Sequence, residues 1–182
     1  HRLMIAAAVA ASFVASPLFA QAPPPPPVYG APITFDAAKK ALAAAEAEAK
    51  KNNWPVAIAI VDSSGNLAAF SKMDNTQHAS GDIAIGKAAG ALGMGISSRT
   101  IRDRLKDRPA FQSAIAAASD GRFIPVPGGV LVLNAKGDAI GAVGISGDAS
   151  DKDEYAAITG VHRAGLKSHP EQPAENWRDA GL

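Results

Sequence analysis

Cysteine is absent from this 182-residue chain. Disulfides, zinc–thiolate sites, iron–sulfur clusters and cysteine nucleophiles are therefore excluded. A domain without disulfides must be stabilised by its hydrophobic core, and about 150 ordered residues are enough to bury one.

An excess of charge of one sign is also missing. The chain has 18 Lys and Arg residues against 17 Asp and Glu residues. The first 22 residues contain Arg2 and no acid, so the remainder carries equal numbers of both signs. Nucleic-acid binding needs a basic stripe that neutralises phosphates, so nucleic acid is not an expected partner.

The motifs of common hydrolases and nucleotide-binding proteins are missing as well. Beyond residue 22 the histidines are His78, His162 and His169, and no two have the i, i+4 spacing of a zinc-binding helix. The sequence has no G-x-S-x-G elbow, no G-x-G-x-x-G after a strand and no G-x-x-x-x-G-K-[ST]. Ordinary hydrolase and nucleotide chemistry is therefore disfavoured, and His162 is interpreted as a surface or interface residue.

Composition divides the chain into four segments. Residues 1–22 are predicted to be a secretory signal peptide, because an apolar run ends in small residues around Ala20 and Ala22. That run is shorter than the ~20 residues that a membrane span needs, so no stable membrane insertion is expected and the protein is expected to be periplasmic or secreted. Residues 23–32 form a proline-rich linker, 33–168 the domain and 169–182 a C-terminal tail.

Two similar hairpins organise the domain. When VLVLNAKGDAIGAVGISG is aligned with IAIVDSSGNLAAFSKMD, Asp62 matches Asn134 and Gly65 matches Gly137. Each hairpin has two short apolar runs around a four-residue polar turn, in which glycine suits a left-handed position. GRFIPV, residues 121–126, is predicted to add a fifth strand at an edge, where its prolines are tolerated.

Helical patterns surround the hairpins. Thr34 is the predicted N-cap of the first helix, a Ser cap opens SSRTIRDRLKDR, and Asp148 or Ser150 is predicted to cap the last helix. The predicted element order is α-β-β-α-α-α-β-β-α. The predicted fold is therefore α/β (α+β), with a single antiparallel sheet of about five strands covered by helices.

Several segments resemble the GlcG/HbpS family, which is also seen as the C-terminal domain of PduO-type proteins. The matching pieces include PVPGGVLVL and GAVGISGDASDKDEYAAITG, and the resemblance covers roughly Ile33 to Gly165. Members are often described as haem-binding or haem-degrading domains. The resemblance therefore implies a haem cofactor, a sheet covered by helices and a homo-oligomer.

A haem site needs an apolar slot, an axial donor and cations near the propionates. The donor is predicted to be an imidazole, which would make His78 the metal ligand, or a thioether. Room for the ligand is predicted at Gly81, Gly86 and Gly90. The glycines of PVPGGV are predicted to let a flat ligand lie against the main chain. The candidate residues are His78, Met73, Lys87, Arg99, Gly128 and Gly129. In the alternative interpretation the histidine caps a helix, the methionine fills the core and the glycines only steer the chain.

The leading functional hypothesis is an exported protein that binds haem or porphyrin for storage or sensing, without clear catalytic machinery. One alternative is an enzyme that degrades haem or converts a small carbonyl compound with Lys87 as a desolvated base. Another is an oligomeric module that binds a small organic acid or assists a sensor. The acids of DKDE, residues 151–154, suit a helix N-terminus, or could bind a hard cation loosely.

Overall fold

The computed structural model describes residues 24–182. The predicted signal peptide lies outside the described residues. Within residues 24–182 no helix has both the length and the apolar character needed to cross a membrane.

One five-stranded antiparallel sheet forms the centre of the domain, and its strands follow the order β2-β1-β4-β3-β5. The strands are β1 (Ala57–Asp62), β2 (Leu67–Lys72), β3 (Gly129–Leu133), β4 (Ala139–Ser146) and β5 (Lys167–His169). The two predicted hairpins are β1–β2 and β3–β4, and they join where β1 pairs with β4. The predicted α+β fold with one antiparallel sheet is confirmed.

The predicted fifth strand is wrong in its position. Residues 122–126 form no strand, because Pro125 has no backbone N–H for a ladder. The edge is instead β5, which pairs with β3 through Leu131 and His169. The expected boundary between domain and tail, after residue 168, therefore falls inside a strand.

Five helices cover the two faces of the sheet. They are α1 (Phe35–Lys51), α2 (Ser80–Met94), α3 (Ser98–Leu105), α4 (Pro109–Ala118) and α5 (Ser150–Arg163). Side chains of β1 alternate between the faces, as expected for a strand. Ile58 and Ile60 pack in the core with α1 and α5, whereas Val61 packs against α2.

Helix ends agree with the predicted caps at two of three positions. Thr34 accepts a hydrogen bond from the backbone N–H of Ala37 at 3.2 Å, and Ser97 caps α3 in the same way. The predicted cap of α5 is wrong, because its N-cap is Ala149 and no side chain caps the helix. Asp148 instead accepts a hydrogen bond from the N–H of Ala149.

Glycine allows α2 to lie unusually close to its neighbours. A Cβ atom on Gly144 of β4 would lie 1.9 Å from the carbonyl oxygen of Ala84, so the helix could not approach any other residue this closely. On the opposite side of α2, a Cβ atom on Gly90 would lie 3.3 Å from Cα of Phe123. The room predicted for haem at Gly86 and Gly90 is therefore used by the segment that precedes β3.

Candidate functional site

A buried ion pair joins α2 to the start of α5. Lys87 is 2% exposed and its Nζ lies 3.1 Å from Oδ2 of Asp153, which is equally buried. The ammonium also donates to the carbonyl oxygen of Ile145 at 2.9 Å, and Oδ1 of Asp153 accepts from the N–H of Asp148. The pair therefore ties α2 to β4 and to the loop that follows it.

Burial changes the protonation of both partners. Desolvation raises the pKa of Asp153 from 3.8 to about 6, although the positive charge of Lys87 acts against this rise. Desolvation also lowers the pKa of Lys87, against the attraction of Asp153. In this buried position, the charge of Lys87 and the charge of Asp153 are each stabilised mainly by the opposite charge of the partner.

The predicted glycines lie against this ion pair. Gly128 has φ of +120°, and a Cβ atom there would lie 2.9 Å from Nζ of Lys87. A Cβ atom on Gly129 would lie 2.3 Å from the carbonyl oxygen of Lys87, and its N–H donates to Ser98 Oγ at 2.7 Å. Both glycines are needed for the close packing of the chain on α2, so their backbone is not open to a flat ligand.

Arg99 forms a second ion pair beside the first. Its Nε lies 3.0 Å from a carboxylate oxygen of the fully buried Glu154, and its guanidinium donates to the carbonyl oxygen of Gln172. Burial raises the pKa of Glu154, while Arg99 opposes the rise. Since Glu154 also attracts the charge of Lys87, four side chains form one cluster: Lys87, Arg99, Asp153 and Glu154. We call it the buried ion cluster, although Arg99 is 24% exposed.

The buried ion cluster does not suit the predicted propionate contacts. Both cations already pair with carboxylates, and the cluster lines none of the five cavities described for residues 24–182. Sequence reasoning assigned Asp153 and Glu154 to the helix dipole and missed their pairing. The available signal was their place one turn before the buried Ala156 and Ala157, on the apolar side of α5.

His78 and Met73 lie apart from the cluster, at the turn between β2 and α2. His78 is exposed and has no hydrogen bond or ion pair within residues 24–182; it does not cap α2, whose N-cap is Ala79. Met73 is partly buried against the core that α1 covers. Its role as an axial donor stays a prediction.

Two surface hollows meet at Met73. The first has a volume of about 320 Å³ and is lined by Glu46, Lys50, Ser71, Lys72, Met73 and Asp74. The second has about 340 Å³ and is lined by Lys50, Asn53, Trp54, Pro55, Met73 and Asn75. We call the two hollows together the Met73 groove. It brings a thioether, an aromatic wall and two lysines to one surface.

His162 is exposed on α5, as predicted, and its Nε2 lies 2.9 Å from Oγ of Ser168. Within residues 24–182 no group of three His, Cys, Asp or Glu side chains has a geometry that could hold a metal ion.

Known proteins share this architecture and sequence. Residues 33–162 match a family described as haem degrading protein HbpS-like. An uncharacterized 15.0 kDa protein of Citrobacter freundii, from the dhaT-dhaS intergenic region, is 33% identical over 132 residues, which are 72% of this chain and 91% of that protein. Protein GlcG of Escherichia coli K12 is 38% identical over 106 residues, 58% of this chain and 74% of GlcG.

Solved structures agree with the sequence relatives. A crystal structure of a PduOC:haem complex superimposes with a TM-score of 0.68 at 24% identity, covering 76% of this chain and 99% of that one. A double mutant of Streptomyces reticuli HbpS gives a TM-score of 0.64 at 27% identity, covering 82% of this chain and 97% of that one. With the family match spanning most of the domain, this chain belongs to the HbpS-like family.

Proposed function

We propose that this protein is an exported haem-binding protein that holds haem or porphyrin for storage or sensing, without turnover. The family description and the haem complex of a structural neighbour support haem as the ligand. The observation on this chain that carries the proposal is the Met73 groove, where a thioether lies between two hollows. Haem iron is commonly held by methionine or histidine, and haem would supply the iron centre of such a site.

The residues of the Met73 groove offer several of the groups that a haem site needs. Each hollow falls within the ~300–1,000 Å³ that is typical of small-molecule sites. Trp54 and Pro55 provide an apolar wall, and Lys50 and Lys72 provide cations for propionates. Lys50 already pairs with Glu46 at 2.6 Å, whereas Lys72 forms no ion pair within residues 24–182.

His78 offers a second donor close to Met73 in sequence, although it lines neither hollow. It lies five residues after Met73, beyond a turn in which Thr76 donates to the carbonyl oxygen of Met73 at 2.7 Å. The exposed imidazole is free of protein partners among the described residues, so its nitrogen is available to a ligand.

The position of Lys87 bears on the alternative of a small-carbonyl enzyme. A general base must come within hydrogen-bond reach of its substrate. Lys87 is 2% exposed and already bonds to Asp153 and Ile145. This arrangement disfavours the alternative in which Lys87 acts as a desolvated base.

Homo-oligomerisation and export are parts of the same proposal. The edge strand β2 exposes Leu67 by 50% and Phe70 by 43%, and an edge strand with exposed apolar side chains invites pairing with another chain. Sedimentation that gives a monomer at micromolar concentration would reject the oligomer.

Export predicts where the mature chain begins. Protein recovered from the native host should begin at Gln21 or Pro23 and lie in the periplasm or medium.

Titration with haemin tests the ligand and its site. We expect a Soret band on binding, and we expect His78→Ala to lower haem affinity and shift the band because an axial donor is lost. Met73→Leu keeps the side-chain volume and tests the thioether in the same way. His162→Ala is the matched control, since it removes an exposed histidine on α5.

Three results decide between the assignments. If His78→Ala alone changes the spectrum, the imidazole is the donor; if Met73→Leu alone changes it, the thioether is. If neither variant alters spectrum or affinity, the Met73 groove is not the site. Loss of the Soret band when a reductant is added would contradict binding without turnover.

A further inference from the structure

A separate cavity lies at the opposite edge of the sheet, beneath the proline-rich segment. Its volume is about 270 Å³, slightly below the usual range for drug-sized ligands. The lining residues are Pro24, Pro25, Pro26, Pro27, Gly95, Ile96, Arg104, Leu133, Gly137 and His169. We call it the proline cavity. Its walls contain one permanently charged side chain, Arg104, and one titratable side chain, His169.

The strand β5 places His169 in this cavity. His169 pairs with Leu131, whose side chain packs against α2, and directly paired residues share one face of a sheet. Ser168 therefore faces the other side, where its hydroxyl meets His162 of α5. The imidazole of His169 consequently lies on the α2 and α3 side, where the cavity is.

The imidazole of His169 has a ring nitrogen that is available to a ligand. Its Nε2 is buried and has no hydrogen-bond partner within residues 24–182, and a buried polar atom without a partner is costly. Burial, together with the positive charges of Arg104 and Arg99, lowers the pKa of His169. At neutral pH the ring is therefore uncharged, with one nitrogen able to donate a hydrogen bond.

Arg104 provides the positive charge of the cavity. Its neighbours on α3 are occupied: Arg99 pairs with Glu154, and Arg102 pairs with Asp103 at 2.8 Å. Arg104 forms no ion pair and no side-chain hydrogen bond within residues 24–182. A guanidinium with all its donors available is suited to a carboxylate, which it binds through two parallel hydrogen bonds.

The apolar wall is held in place by the residues that follow the prolines. The N–H of Gly30 donates to the carbonyl oxygen of Ala139 at 2.9 Å, and the hydroxyl of Tyr29 donates to the carbonyl oxygen of Leu92. Pro26 packs on Gly95, where an added Cβ atom would lie 3.2 Å from the proline Cβ. The predicted linker therefore lies on the domain instead of extending away from it.

We propose that the proline cavity binds a small monocarboxylate with an apolar body. Its carboxylate would pair with Arg104 and accept a further hydrogen bond from His169, while its apolar part would pack against Pro26 and Leu133. One cation beside a neutral imidazole matches one negative charge. A phosphate dianion would need more donors and less apolar wall.

Calorimetric titration of the full chain with benzoate, butyrate and inorganic phosphate tests this proposal. We expect both carboxylates to bind and phosphate to bind more weakly. Arg104→Gln should weaken benzoate binding by about tenfold or more, because a charge-assisted bidentate contact is lost. Arg102→Gln is the matched control, since it removes an exposed, paired arginine from the same helix, and should leave binding unchanged.

Imidazole ¹⁵N resonances give an independent readout of the site. Benzoate should shift the resonances of His169 and leave those of His78 in place. Absence of carboxylate binding at millimolar concentration, equal affinity in Arg104→Gln and the unchanged protein, or a preference for phosphate would each overturn the proposal. Met73→Leu should not alter benzoate binding, so this proposal and the haem proposal fail independently.

Discussion

Replacement of Lys87 by methionine is the sharpest test of the buried ion cluster. The substitution keeps an unbranched side chain but leaves Asp153, which is 2% exposed, without its cation. Breaking a buried ion pair by removing one partner costs about 3–5 kcal/mol, because an uncompensated charge stays buried. We therefore expect Lys87→Met to lower the free energy of unfolding by that amount at pH 8.

The size of this loss should depend on pH. The pKa of Asp153 is raised in the folded protein to about 6, so its contribution to stability is present at low pH and is lost as the pH rises through that value. Removing Lys87 takes away the positive charge that opposes this rise. We therefore expect the pKa of Asp153 to be higher still in the variant. Each unit by which the pKa of Asp153 climbs makes the loss about 1.4 kcal/mol smaller at pH 5 than at pH 8.

Urea unfolding at the two pH values measures this difference. Lys39→Met is the control, since Lys39 is exposed on α1 and pairs with Asp36 only at the surface; it should change stability by less than about 0.5 kcal/mol. Adding Asp153→Asn to Lys87→Met should recover part of the stability, because the unpaired charge is removed. A loss under about 1 kcal/mol at pH 8, or one that is as large at pH 5, would refute the reasoning.

Three further substitutions test the packing around α2 by thermal or urea unfolding. Gly144→Ala should destabilise the fold by several kcal/mol, about 3 or more, because its Cβ atom would collide with the carbonyl oxygen of Ala84; a loss under 1 kcal/mol would show that α2 can move away. Gly93→Ala meets no atom within 4 Å and should stabilise the helix by up to about 1 kcal/mol; destabilisation would contradict the open surface seen there. Ser98→Ala leaves the buried N–H of Gly129 without its acceptor and should cost about 1–3 kcal/mol; an unchanged midpoint would speak against that hydrogen bond.

The hairpins were predictable because local chemistry determines their turns. Oδ1 of Asp62 accepts from the N–H groups two and four residues later, and the side-chain oxygen of Asn134 does the same in the second hairpin. Gly65 and Gly137 have φ values of +82° and +89°, in the left-handed region that favours glycine. The matched positions in the sequence thus become equivalent turns, which confirms the predicted repeat.

The edge strand could not be predicted from propensity. GRFIPV has more strand-forming residues than Lys167–His169, yet only the latter forms a strand. Lysine and serine have little intrinsic preference for β-strands. They are extended here because β3 offers unpaired backbone groups, and this depends on the position of α5, which no local pattern reveals.

The buried ion cluster was hidden from the sequence for a similar reason. The sequence singled out Lys87 as a cation for haem or as a base, but its buried partner Asp153 lies 66 residues away. An acid at the start of a helix satisfies the helix dipole whether it faces solvent or the core. Only the packing of α2 and α5 on β4 determines that this one is buried.

Both ends of the described chain pair with strands of the sheet and contribute residues to the proline cavity. At the N-terminal side, Tyr29 bridges to Ala139; at the C-terminal side, β5 covers the edge of β3, and Trp177 stacks on Tyr155 with ring centroids 3.7 Å apart. Unpaired edges invite association with other chains, so β5 protects this edge of the sheet. His169 and the prolines lie outside the family match at residues 33–162, whereas the Met73 groove lies inside it. A relative that lacks those ends would therefore keep the groove proposed for haem and lose the cavity proposed for carboxylates.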